Sequence, residues 1–189
     1  MTIAVLVVLA VVGLWVISAY NGLIALKNQV ANAWKQIDVQ LKRRHDLIPN
    51  LVNAVKGQMD FEKSTLEAVI SARAKAVGAT GVAATAKAEG ELSQALGKLF
   101  ALAENYPDLK SSANVLQLQE ELSTTENKIG FARQLYNDVA TQYNTRQAQF
   151  PTNLVAGLAK ASPSELWEIT DAGERQVPTV DLSLNRPAS

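Results

Sequence analysis

The sequence predicts an all-α protein: a transmembrane helix near the N-terminus, then an up-and-down four-helix bundle of long, heptad-patterned helices. Three observations carry this. Ile3 to Ala19 is uncharged and almost wholly apolar. Beyond it, apolar residues recur in steps of three and four along four successive runs, the spacing of one face of a helix. The chain is 48% hydrophobic but only 6% aromatic, which favours a helical protein with Ala, Leu and Val supplying the core.

The first element is the span. Seventeen apolar residues cover about 26 Å at the helical rise, short but adequate for a bilayer core of about 30 Å. Ile3, Leu6, Leu9, Leu14 and Trp15 face lipid in this reading, and Tyr20 stands at the interface. A cleaved signal peptide is the rival. It is disfavoured by the missing basic leader, by Ile17 where a cleavage site wants a small residue, and by a helical pattern that runs on past Ala19. Lys27 and Lys35 follow the span and no charge precedes it, so the positive-inside rule puts the body in the cytoplasm.

The next run is Tyr20, Leu23, Lys27, Val30, Trp34, Ile37, Leu41, Arg44, Ile48. Pro49 then removes a backbone donor and crowds the preceding turn. Asp46 is placed to cap a new helix, so the expectation is a corner at residues 46–49. Leu51 and Val55 keep the same phase, which leaves a continuous helix through Pro49 as the other reading. A second run, Met59 to Ala76, is one residue out of register with the first and ends at the turn GATG, residues 78–81. The third run places Ala88, Leu92, Ala95, Leu99, Leu102 and Tyr106 on one face and stops at Asn105-Tyr106-Pro107-Asp108, a turn by its chemistry. The fourth is the most regular, from Val115 to Phe150 in strict alternation, and Pro151 ends it. Arg146 falls on its stripe, which requires either a carboxylate partner or an exposed position beyond the bundle. After Lys160, Pro163, Gly173, Pro178 and Pro187 punctuate a polar tail. A brief helix near residues 164–170 and then an extended segment are expected there.

The chemical inventory is thin. Eighteen Lys/Arg balance eighteen Asp/Glu, so no whole-chain field attracts nucleic acid. The charge is uneven: residues 1–26 carry none, and residues 27–56 carry six basic against two acidic groups. With no cysteine and one histidine, an ordinary zinc site or a cysteine nucleophile cannot be built. Neither a phosphate-binding glycine loop nor a serine elbow is present. Glu89, Glu91, Glu120 and Glu121 read as solvated charge on polar helix faces. The reading is therefore no catalytic, metal or cofactor site. The candidate interaction surface is Arg43, Arg44, His45 and Asp46, joined at a distal corner by Tyr106 and Asp108. Its bland reading is a helix end whose basic residues offset the macrodipole.

Several segments together resemble one family. AWKQIDVQLKRRHDLIPNLVNAVKG, STLEAVISARAKA, ENYPDLKSSANVLQLQEELSTTENKIGFARQLYNDVATQYNT and FPTNLVA, within about residues 20–158, are similar to the LemA family of bacterial membrane proteins. That resemblance implies a short outside segment, one span and a cytoplasmic four-helix bundle, with similarity to MamQ-type magnetosome proteins linked to membrane invagination. Its motif positions fall on Arg44, Asp46, Leu47, Pro49 and Asn50, on Tyr106 to Leu109, and on Arg133, Tyr136, Asn137, Tyr143, Asn144, Phe150 and Pro151. The family brings no catalytic residues to carry over.

The resulting organisation is an anchor over residues 1–20, a bundle over 21–158 and a tail over 159–189. The function expected is a non-enzymatic scaffold in the bacterial inner membrane that self-associates and organises or remodels membrane. Its partners are the lipid bilayer, further copies and a protein at the distal corner, with no nucleic acid. The alternative is a membrane-tethered sensor or regulatory binding module facing the cytoplasm.

Overall fold

A computed structural model describes residues 1–56 and 63–168, without the side chains of residues 108 and 110. Six helices follow in order: α1 Thr2–Lys56, α2 Lys63–Gly78, α3 Val82–Ala103, α4 Pro107–Lys110, α5 Ala113–Ala148 and α6 Asn153–Ala156. No strand occurs among the described residues. Residues 161–168 are extended and lie along α5.

The expected corner at residues 46–49 is not there. α1 continues through Pro49 to Lys56, and Asp46 caps nothing: its carboxylate meets Lys42 Nζ at 2.8 Å, one turn earlier on the same helix. Proline inside a helix costs about 3 kcal/mol, in part because the carbonyl four residues back loses its donor. Here that carbonyl belongs to His45. Arg73 Nε on α2 donates to it at 2.7 Å, so a neighbouring helix supplies the bond that Pro49 cannot make. The phase kept by Leu51 and Val55, both buried, is thus that of one continuous helix.

α1 and α5 pair antiparallel with constant register. Trp34 meets Tyr136, and ten residues on along α1 Arg44 meets Glu126, ten residues back along α5. Extended at that register, the end of α5 lies opposite residue 22, where the apolar span emerges. α2 and α3 form a hairpin through the GATG turn, and Gly81 takes φ 84°, a left-handed conformation that a side chain would strain. Pro107 opens α4 as its first residue, where its missing N–H has no helical partner to lose.

The hairpin flanks the α1–α5 pair mainly along its distal part, its turn end reaching the proximal core through Val82 and Ala86 of α3. Distally, Ile48, Leu51 and Val55 of α1 pack with Leu66 and Val69 of α2, Leu92 and Leu99 of α3, Leu109 of α4, and Val115 and Leu122 of α5. Nearer the span a second core joins Leu23, Val30, Ile37 and Leu41 to Ile129, Tyr136 and Tyr143, with Ala159 and Trp167 closing it. Most stripe residues expected from the sequence are buried. Arg146 is exposed at the end of α5, one of the two outcomes anticipated for it.

Residues 164–168, expected to begin a brief helix, are extended instead. Asn144 Nδ2 donates to the Ser164 carbonyl at 2.8 Å and its Oδ1 accepts from Ser164 N at 2.8 Å. Asn137 clasps Trp167 the same way, at 3.0 and 2.8 Å. The spacings match: seven helical residues rise about 10.5 Å, and three extended residues span about 10 Å. Residues 169 and 170, the rest of that expected helix, lie outside the described residues, as does the tail beyond them.

Candidate functional site

The basic cluster forms no single surface. Lys42, Arg43 and Asp46 are exposed, but Arg44 is buried and His45 nearly so. Arg44 Nη1 lies 3.2 Å from Glu89 Oε2 and 2.9 Å from Glu126 Oε2, and Nη2 donates to Ser93 Oγ at 2.8 Å. His45 Nε2 sits 2.6 Å from the other oxygen of Glu89. One carboxylate of α3 thereby holds two adjacent residues of α1. Glu89 itself is only 3% exposed, which corrects its reading as solvated charge. Removing a charge from water is costly, and the two cationic or hydrogen-bonding partners offset that cost.

The network extends downward. Glu126 Oε1 is 3.7 Å from Arg133 Nη2, and the Arg133 guanidinium stands 5.8 Å over the Trp167 ring. Trp167 in turn leans on Trp34, which meets Tyr136 edge-on at 5.4 Å. Polar and aromatic contacts therefore run from α3 through α1 and α5 to the extended segment. A shared distal corner would bring Arg43 or Arg44 to an acid at the tip, such as Asp108. Arg44 does find acids, but at mid-bundle, since α1 runs twelve residues beyond it. Tyr106 packs half-buried on the distal core, and the Asp108 side chain lies outside the described residues.

Two hollows border this framework. One, of about 460 Å³, opens between α3 and α5 and is lined by Arg44, Ser93, Gln119, Ser123, Glu126 and Asn127 among others. The other, of about 500 Å³, is an open groove on the α1–α5 pair bounded by Val39, Phe131 and Leu135, with Lys35 and Lys128 at its margin. Phe131 is 73% exposed and Val39 63%. Neither residue lies on a buried stripe, so the sequence could reveal them only as apolar residues off the seam, Phe131 and Leu135 being one helical turn apart. Among the described residues no group of three or more His, Asp or Glu is disposed to hold a metal.

The N-terminal apolar stretch is helical and stands largely clear of the body. Ile3, Leu6, Leu9 and Leu14 are exposed on an isolated length of α1, Trp15 is half-buried, and Tyr20 stands at its end. An 18-residue window there has mean hydropathy 2.7 and is 6% buried. The sequence model of the LemA family matches residues 33–182. The chain belongs to the LemA family. It is 32% identical to Protein LemA of Metamycoplasma hominis over 138 residues, which are 72% of this chain and 63% of that relative. It therefore spans less than two thirds of that relative's length. Magnetosome protein MamQ 2 of Paramagnetospirillum magneticum is 24% identical over 208 aligned positions, covering 96% of this chain and 76% of the relative. Magnetosome protein MamQ of Magnetospirillum gryphiswaldense is 22% identical, with 86% and 70% covered. These relatives and the exposed apolar stretch make this LemA-family chain a membrane-associated helical protein with one candidate span. The Tyr-Asn pairs of α5 also acquire a physical meaning. Tyr136-Asn137 and Tyr143-Asn144 repeat at one heptad, the tyrosines filling the seam while the asparagines grip the extended segment.

Proposed function

We propose that this LemA-family protein is a single-pass, membrane-anchored scaffold that self-associates through the groove on its α1–α5 pair and helps to organise the membrane. The observation that carries it is the pairing of two uncovered apolar surfaces with different geometry. One is the cylindrical span. The other is the Val39–Phe131–Leu135 groove, a width of apolar surface that isolated exposed side chains do not create. The magnetosome names of the MamQ relatives support a role in membrane organisation. The body faces the cytoplasm from the bacterial inner membrane, because Lys27 and Lys35 follow the span and no charged side chain precedes it.

Native mass spectrometry of the full-length protein released from mild detergent tests self-association. Multiple copies are expected, with Phe131→Glu shifting the population to single copies. Single copies at every concentration would sink the scaffold. Protease added outside intact cells should leave the body uncut, and digestion would reverse the orientation.

A second reading, the regulatory sensor, has one observation in its favour. The hollow between α3 and α5 collects polar groups around Arg44, as a ligand pocket does. A single-copy protein whose melting temperature moves with one metabolite would favour it.

A further inference from the structure

We infer that the turn after α5 is a second membrane contact, in which Phe150, Leu154 and Leu158 enter the headgroup zone of an anionic bilayer beside the span. The segment has apolar residues on both sides. Val155 and Ala159 are buried, with Ala159 in the core that holds Leu23, just beyond the span. Phe150, Leu154 and Leu158 instead point outward, 79%, 68% and 71% exposed. The fold uses the first pair and leaves the second set uncovered.

Their height is fixed by the register. Asn144 clasps Ser164 and the extended segment runs from there toward Asn137, away from the span. The turn that contains residues 150–158 therefore projects below Asn144, toward the span. Ala19 is buried, and Trp15 and Val16 one turn earlier are half-buried, so the body's lower edge reaches the end of the span itself. The uncovered residues are thus continuous with the apolar surface of the span.

Charge at this end suits lipid phosphate. Arg146 shares a small hollow with Leu26, next to Lys27, and Lys160 follows Ala159. Residues 20–34 and 139–164 contain no Asp or Glu, while they contain Lys27, Arg146 and Lys160. Apolar side chains at the headgroup boundary beside basic groups are the arrangement of interfacial anchors, whose long basic stems reach up to the headgroups.

The inference requires the span to be in the bilayer but not self-association, and the experiment separates the two. The chain has no cysteine, so single nitroxide labels can be placed at Leu9→Cys, Leu154→Cys, Leu158→Cys and Leu116→Cys in full-length protein. Leu116 is an exposed distal control. The protein is reconstituted in phosphatidylcholine vesicles with and without phosphatidylglycerol, and collision with oxygen is compared with collision with a water-soluble nickel complex. Expected is a severalfold higher oxygen-to-nickel ratio at Leu154 and Leu158 than at Leu116, with Leu9 deeper still. Aqueous values at Leu154 and Leu158 beside an immersed Leu9 overturn the contact, and so do labels shielded from both reagents, which report protein burial. Combining Lys27→Gln, Arg146→Gln and Lys160→Asn should reduce immersion only where phosphatidylglycerol is present. Asn is chosen at 160 because that residue has φ 46°, which Asn tolerates. No change in either membrane overturns the part assigned to lipid phosphate.

Discussion

The distal and membrane-proximal halves of the body solve one problem, covering the stripe of a long helix pair, by different means. Distally, α2 and α3 add two amphipathic helices, and Leu, Ile, Val and Ala fill the space. Proximally, where α3 reaches them only at Val82 and Ala86, α1 and α5 are the two helices that meet along their length. There the chain uses large aromatic groups, Trp34, Tyr136, Tyr143 and Trp167, and an extended segment as the third side. Such a segment brings unpaired backbone groups against a helix, where no ladder can satisfy them. Two asparagine side chains supply those partners at one heptad's spacing. Four helices need only apolar pattern; two helices and a strap need specific polar chemistry. The Arg44 network marks the junction between the regimes.

The largest effect is expected at that junction. Arg44→Leu leaves Glu89 buried with His45 alone, and should lower stability by about 3–5 kcal/mol, the usual loss when one member of a buried pair is removed. Thermal or chemical unfolding of the membrane-extracted protein measures it. A neutral result would show that the two halves hold together without the network.

Asn137→Ala and Asn144→Ala should each cost about 1–3 kcal/mol, since each strands a backbone donor and acceptor of the strap. Hydrogen exchange should rise at residues 164–167 and in the proximal core, while α2 and α3 keep their protection. Equal opening of the distal hairpin would erase the distinction between the halves.

A smaller effect tests how α1 passes between them. Arg73→Ala should destabilise the native chain by about 1 kcal/mol more than it does in a Pro49→Ala background, because alanine restores the N–H that the His45 carbonyl lacks. Equal costs in the two backgrounds would mean that Arg73 does not compensate for the proline.

The smallest concerns pH. Burial, then the Glu165 charge, raises the Tyr136 hydroxyl above its ordinary value of 10.0, and that hydroxyl donates to the Glu165 carbonyl at 2.7 Å. The raised folded value means that its contribution is complete below about pH 10. It is lost as pH climbs through the higher folded value, where ionisation would break the bond. Limited proteolysis of the strap across the alkaline range should show release in the native chain. Tyr136→Phe should flatten that pH dependence, and an unchanged profile would exclude this hydroxyl as its source.

What the sequence made legible follows the same division. Stripes of three and four, the GATG turn and the apolar stretch depend on residues close in sequence, and most described stripe residues stand where the pattern put them, though Phe150 at the end of the fourth stripe is exposed. Pro49 misled because its compensating donor, Arg73, lies on another helix. Glu89 misled because it adjoins Ala88 on the buried face and its partners sit more than forty residues away. The strap has no periodicity to read. Its signal was indirect, in the heptad-spaced Tyr-Asn pairs of α5. The groove gave less still, since an apolar residue off the seam is common on protein surfaces.

The unbroken helix through Pro49 has a mechanical consequence. From Tyr20 to Lys56, α1 rises about 54 Å at 1.5 Å per residue, with no hinge between lipid and tip. A tilt of about 20°, ordinary for spanning helices, swings that tip sideways by about 18 Å. The body is a lever whose angle is set at its base, so a small change of tilt there becomes a large displacement at the tip.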